Sequence, residues 1–411
     1  MRRWRPGFGL CLVCFALGLR ALAQTPENGR GELPPNGPYG VGRVPFHWVD
    51  GSRREALSKD PKARRELMVH LFYPTDPGAE GSPAPYIPEV ELMRVYEEKH
   101  FGKDFMREEY GEAYGAVFNA RTHSIAGARL SGARRKYPVL LFQPGLGIKV
   151  FLYTAIIEEL ASRGYVVAAV EPPYETSVVV FPGGRIVEEH DDWGNVYMNG
   201  TREQAARFHL ARIDVNAEDN SFVLNQLFGL NAGVLGTRHP DFKGRLDVRR
   251  AGAFGHSQGG LAARRSCQID LRWKACIDLG GGLGEEEITS MGDDPIHHPF
   301  MLMTPAMKNR KLIDHDDSLF RNAKSPSYKV SVEAPGFGHF IYYDFEMPGA
   351  RAEASRNGLS ASDRLRDTQI IRAYTLAFFD RYILGRRAPS LNDMSKSYEE
   401  VTLEKFGPAA R

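Results

Sequence analysis

The 411-residue chain has only four cysteines, and two of them, Cys11 and Cys14, fall within the first 23 residues. Beyond that point no C-x-x-C remains, which excludes a thiol redox pair and a cysteine zinc site of that pattern. An excess of one charge is also missing: 53 Lys and Arg stand against 51 Asp and Glu, a formal +2. That balance excludes the basic face of a nucleic-acid-binding domain. No G-x-x-x-x-G-K-[ST] occurs, so the run Gly280-Gly281-Gly282 is not a phosphate loop. The pair Asp191-Asp192 beside His190 lacks helical ligand spacing and reads as a solvated turn. Neither a metal nor another cofactor is expected. Long apolar runs are absent too; Phe8 to Leu19 comes nearest and is too short to span a bilayer comfortably.

That one apolar run belongs to a leader. Arg2, Arg3 and Arg5 precede it, and Ala21-Leu22-Ala23 follows as an A-x-A cleavage site before Gln24. Residues 1–23 therefore read as a signal peptide cleaved after Ala23, and the protein as secreted or periplasmic. The leader carries four arginines and no acid, so its removal takes the formal charge from +2 to −2. Cys267 and Cys276 remain as an even pair, which in an exported protein suggests a disulfide. Two small core side chains are the alternative.

Residues 24–39, rich in Pro, Gly and Asn, read as a flexible arm. Continuous apolar runs at Leu67–Tyr73, Tyr137–Phe142, Tyr165–Val170, Ala251–Phe254, Phe300–Met303 and Tyr328–Val332 read as strands. Thr154–Arg163, Thr201–Leu230 and Asp363–Leu384 have helical patterns, and Ser177–Glu188 reads as a hairpin turning at Pro182-Gly183-Gly184. Strand, helix and strand from Tyr137 to Val170 make a βαβ unit. The alternation predicts an α/β fold: one mostly parallel, doubly wound sheet with helices on both faces, spanning residues 40–390. Residues 89–130 read as a surface insertion or a lid, and 391–411 as a C-terminal tail.

The chemistry centres on Gly255-His256-Ser257-Gln258-Gly259-Gly260. A short apolar strand precedes this G-x-S-x-G and a helix-like segment follows it, the context of a nucleophile elbow in an α/β-hydrolase. Serine needs a base to become nucleophilic, and the base needs an orienting acid. In this fold the chain order is serine, acid, histidine. His339, in the glycine-flanked loop Gly336-Phe337-Gly338-His339, is the candidate base, 82 residues downstream. Asp278, ending the strand after the elbow helix, is the preferred acid; Asp314, Asp316 and Asp317 follow the next strand and remain alternatives. The backbone N–H of Gln258 and one from Gly145-Leu146-Gly147, placed at Leu146, would form the oxyanion hole.

Taken together, the strand and loop Phe142–Gly147, the G-H-S-x-G-G elbow, Asp278 and Gly338-His339 resemble the platelet-activating-factor acetylhydrolase group. This is a branch of α/β-hydrolase esterases related to the dienelactone hydrolases. Leu71-Phe72-Tyr73-Pro74 and the helix beginning Glu158-Glu159-Leu160-Ala161 are also similar, so the resemblance covers most of Arg65 to Leu384. It implies Ser257 as nucleophile, Asp278 as acid, His339 as base, and Leu146 and Gln258 as oxyanion donors. Two positions depart from the group: Gln143-Pro144 stands where Ser-His is frequent, and Gln258 where Phe is frequent. Both change the pocket wall while leaving the backbone donors intact. The expected function is a secreted serine carboxylic ester hydrolase acting on a small-molecule or lipid ester, with transient lipid-surface contact allowed. A phospholipase A2-type acylhydrolase on short or oxidised acyl chains is the second reading. A non-catalytic binding protein retaining the fold is the third.

Overall fold

Every residue of Tyr137–Gln143 and Val166–Glu171 is buried, as is each from Ala251 to His256. Strands with no wet face belong in the middle of a parallel sheet covered by helices on both sides. The computed structural model places them there. It describes residues 33–102, 118–235, 242–281, 295–306, 320, 323–334, 344, 360–387 and 390–408.

In chain order the strands are β1 (Gly40–Arg54), β2 (Arg64–Thr75), β3 (Pro83–Pro85), β4 (Arg121–Ala126), β5 (Tyr137–Gln143), β6 (Val166–Glu171), β7 (Val178–Phe181), β8 (Arg185–Glu188), β9 (Leu246–His256), β10 (Trp273–Leu279), β11 (Phe300–Pro305), β12 (Ser327–Val332) and β13 (Val401–Phe406). The described helices are α1 (Val90–Phe101), α2 (Thr154–Ser162), α3 (Asp192–Asn199), α4 (Arg202–Ala232), α5 (Gln258–Ile269), α6 (Ala361–Tyr382) and the single turn α7 (Leu391–Met394). A 3-10 turn, Val150–Tyr153, leads directly into α2.

Eleven strands form one sheet in the order β13-β12-β11-β10-β9-β5-β6-β2-β1-β4-β3, and β7 and β8 make a separate hairpin. The six neighbours from β12 to β6 all run parallel. Alternate residues feed two cores. On one face Leu140, Phe142 and Phe254 pack with Ile157 and Leu160 of α2 and Tyr374 and Phe378 of α6. On the other, Leu141 and Ala253 pack with Leu224 and Leu227 of α4 and Ala263 of α5. This is the α/β-hydrolase arrangement expected from the alternation of apolar runs and helical patterns.

Between β5 and β9 the strand order reverses direction: the chain runs outward from β5 to β6 on one side and from β9 to β10 on the other. A crevice opens outside the carboxyl ends of parallel strands at such a switch point, and ligands bind there. β5 ends at Gln143 and β9 at His256, so the G-x-G loop and the serine turn face one another across this crevice.

Several expectations need correction. The segment 391–411 is not simply a tail: β13 pairs antiparallel with β12 from Ser327↔Phe406 to Val332↔Val401 and closes one sheet edge. Its sequence, Val401-Thr402-Leu403-Glu404-Lys405-Phe406, is half polar because an edge strand keeps one wet face. The described end of the arm is docked, with Asn36 N–H donating to Glu159 at 2.7 Å and Gly37 N–H to Ser162 at 3.0 Å. β1, a strand that the apolar runs do not mark, pairs with β2 from Gly40↔Thr75 to Asp50↔Arg65, with an irregularity before Arg54↔Arg64. α4 carries two of its charges, Arg212 and Asp219, into the interior.

Candidate active site

Ser257 sits where β9 stops and α5 begins, with φ 53° and ψ −120°. A residue with a side chain avoids this region unless its surroundings hold it there. Three features do. The Ser257 N–H donates to the carbonyl of Leu279 at 2.9 Å, and the Ser257 carbonyl accepts from Leu261 N–H at 3.0 Å. Gly259 lies so close to the end of β5 that a Cβ there would stand 2.2 Å from the carbonyl oxygen of Gln143. From Ala251 to Gly260 every residue except Ser257 is buried. The turn therefore presents one side chain, the serine, outward from a packed frame.

Asp278 lies at the carboxyl end of β10, level with Gly255 of β9. It is fully buried, and its Oδ1 accepts from Gly281 N–H at 2.8 Å. A Cβ on Gly260 would fall 2.2 Å from that same oxygen, so the aspartate packs directly against the first turn of the elbow helix. The elements carrying Ser257 and Asp278 are also tied covalently: Cys267 of α5 and Cys276 of β10 form a disulfide, with Cα atoms 6.3 Å apart.

Gly145-Leu146-Gly147 faces the elbow from the end of β5. Gly145 N–H donates to the Tyr153 hydroxyl at 3.2 Å, and that hydroxyl is 2.8 Å from His256 Nδ1. Burial raises the Tyr153 pKa well above its ordinary value, so the hydroxyl keeps its proton. Tyr153 thereby joins the loop to the residue before the serine. Gly147 N–H donates to the carbonyl of Glu175 at 2.7 Å.

The two glutamines that distinguish this chain each have polar partners. Gln143 Nε2 donates to the carbonyl of Asn216 at 3.0 Å and to Asn220 Oδ1 at 2.9 Å, both on α4. Gln258 Nε2 donates to Glu175 Oε2 at 2.8 Å. Glu175 is ion-paired with Arg212 of α4, whose Nε lies 2.7 Å from Oε1. Helix α4 thus backs the site with polar groups at Arg212, Asn216 and Asn220. Past Asn220 the helix packs Val223, Leu224, Leu227 and Leu230 into the core.

Ser257, Asp278, Leu146 and Gln258 are thus gathered at the carboxyl ends of β5, β9 and β10. His339 lies outside the described residues, as do Asp314, Asp316 and Asp317. Tyr153, Glu175 and Arg212 escape the sequence reading. The one local trace of Glu175 is its place just after Pro172-Pro173, a forced turn at the end of a buried strand.

Comparison with known proteins places the chain among esterases. The family described as "Platelet-activating factor acetylhydrolase, isoform II" matches residues 28–283, more than half of the chain. A "Probable 1-alkyl-2-acetylglycerophosphocholine esterase" of Arthroderma benhamiae is 24% identical, covering 95% of this chain and 97% of its own. The platelet-activating factor acetylhydrolase of Cavia porcellus is 26% identical over 90% of this chain and 82% of its own. Among solved structures, a ferulic acid esterase from Streptomyces cinnamoneus superposes with a TM-score of 0.69 at 29% identity, covering 91% of this chain and 99% of that one. The chain belongs to the platelet-activating factor acetylhydrolase isoform II family and is a serine ester hydrolase of the α/β-hydrolase fold.

Proposed function

We propose that the protein is an exported carboxylic ester hydrolase that works through an acyl-enzyme on Ser257. The observation that carries this reading is the positive-φ serine at the switch-point crevice, with buried Asp278 packed behind it. Ser257 Oγ attacks the ester carbonyl carbon while His339 takes its proton, and Asp278 orients the imidazole. The N–H groups of Leu146 and Gln258 receive the oxyanion. His339 then protonates the leaving alcohol, and water attacks the acyl-enzyme by the same route. The buried disulfide favours an oxidising compartment, in keeping with cleavage after Ala23.

A phospholipid acylhydrolase acting on short acyl chains is the second reading. The fungal relative favours it, because its similarity runs almost end to end and its name specifies an acetyl ester of a glycerophosphocholine. Labelling with a fluorophosphonate and a panel of soluble and vesicle-borne esters tests both readings. Ser257→Ala should abolish labelling and cut turnover by about 10⁴-fold or more. Labelling that persists in this variant overturns the acyl-enzyme. Hydrolysis of acetylated phospholipid at a rate matching the best soluble ester selects the second reading.

A further inference from the structure

We propose that Glu175 is a positioning residue that fixes the two halves of the oxyanion hole relative to each other; this rests on the reading of Ser257 as nucleophile. Its main-chain carbonyl holds Gly147 in the loop from β5, and its side chain holds Gln258, the residue after the serine. One residue therefore grips both segments that would supply the N–H donors. Hydrogen bonding of a developing oxyanion depends on donors held at 2.7–3.1 Å before the reaction begins, so their mutual spacing matters more than their presence.

The grip is rigid for three reasons. Glu175 is 1% exposed and both of its side-chain oxygens are engaged: Arg212 Nε lies 2.7 Å from Oε1, and Gln258 Nε2 lies 2.8 Å from Oε2. The preceding residue, Tyr174, is held at φ 67° although it is not glycine. Its carbonyl accepts from His190 N–H at 2.9 Å and Trp193 Nε1 at 3.2 Å, which pins the strained backbone. The Gln258 amide, finally, has no second anchor: its Oε1 lacks a hydrogen-bond partner among the described residues. A buried amide without the carboxylate would be costly, so Gln258 and Glu175 function as a pair. An aromatic residue at position 258 would be held by packing; here an ion-paired carboxylate does the holding.

The test uses the full enzyme with a short-chain p-nitrophenyl ester, comparing Glu175→Gln, Gln258→Met and the double variant. Gln258→Met keeps the backbone N–H and leaves the Glu175–Arg212 pair in place. Both single variants should lower kcat by about 10- to 100-fold while KM stays within about twofold, as expected for sub-ångström donor misplacement. The double variant should be no worse than the poorer single variant, because both cut one linkage. A cooperatively folded Gln258→Met enzyme with kcat within twofold of wild type overturns the proposal, even if Glu175→Gln fails to fold. So does a strictly multiplicative double variant. Turnover that survives Ser257→Ala removes the underlying reading and the proposal with it; loss of turnover there together with an unaffected Gln258→Met removes the proposal alone.

Discussion

Tyr153 shows how one hydroxyl can hold two chain segments that are remote in sequence. Its ring is fully buried against Phe142, with centroids 4.8 Å apart, and its oxygen meets Gly145 N–H and His256 Nδ1. Tyr153→Phe keeps the ring packing but removes both hydrogen-bond connections. The cost should be about 1–3 kcal/mol, because buried polar groups then lose their partner. A urea titration checks this: the midpoint should fall with the slope unchanged, since the surface exposed on unfolding is the same. The tyrosine could not be singled out from the sequence, where Val150-Phe151-Leu152-Tyr153 reads as one more apolar run. The serine was legible, because a side chain forced to positive φ requires small neighbours and those neighbours are visible as glycines.

At the scale of elements, α5 and β10 act as one unit. The helix begins at the serine turn, β10 ends beside Asp278, and the disulfide joins the last turn of the helix to the middle of the strand. The cysteines are nine positions apart, and closing so short a loop in the unfolded chain is worth about 3 kcal/mol. The double variant Cys267→Ala/Cys276→Ala should lose roughly that amount, read as a lower denaturation midpoint that added reductant does not lower further. Helix α1 is attached differently. Lys149, two residues past the G-x-G loop, makes a buried ion pair with Glu97 of α1, and Met93 and Tyr96 pack with Phe151. The described helix of the 89–130 segment is therefore seated beside the loop that would carry one oxyanion donor. The pairing of Glu97 with a lysine 52 positions away has no signal in the sequence.

For the molecule as a whole, stability should depend on a carboxylate remote from the chemistry. Asp367 of α6 is 1% exposed, and neither of its side-chain oxygens has a hydrogen-bond partner among the described residues. Burial raises its pKa from 3.8 to about 7. The folded state thus holds a proton that the unfolded chain releases, so stability is fully present below the ordinary carboxylate value. It falls by about 1.4 kcal/mol per pH unit as pH rises toward the folded pKa. Asp367→Asn should leave the melting temperature nearly unchanged at pH 4 and raise it at pH 8; calorimetry at the two pH values checks the difference.

The division between what the sequence determined and what the tertiary structure decided follows burial. β5, β6 and the end of β9 are covered on both faces, so their sequences are continuously apolar and mark the middle of a parallel sheet without further information. The serine turn is likewise legible, because the glycines that its backbone requires, Gly255, Gly259 and Gly260, lie within three positions of Ser257, although the contacts that hold it come from Leu279 and Gln143. β1 and β13 have wet faces or interruptions, and their propensities alone do not separate strand from loop. Chain order narrows the acid to a few aspartates and its place at a strand end favours Asp278; that this aspartate packs against Gly260 of the elbow helix is visible only in the fold. The Gln258 backbone N–H is marked by its place after the serine, but the pairing of its side chain with Glu175, and of Glu175 with Arg212, has no mark in the sequence. A buried charge is tolerable only when its partner is delivered from another element, and which element delivers it is a property of the assembled fold.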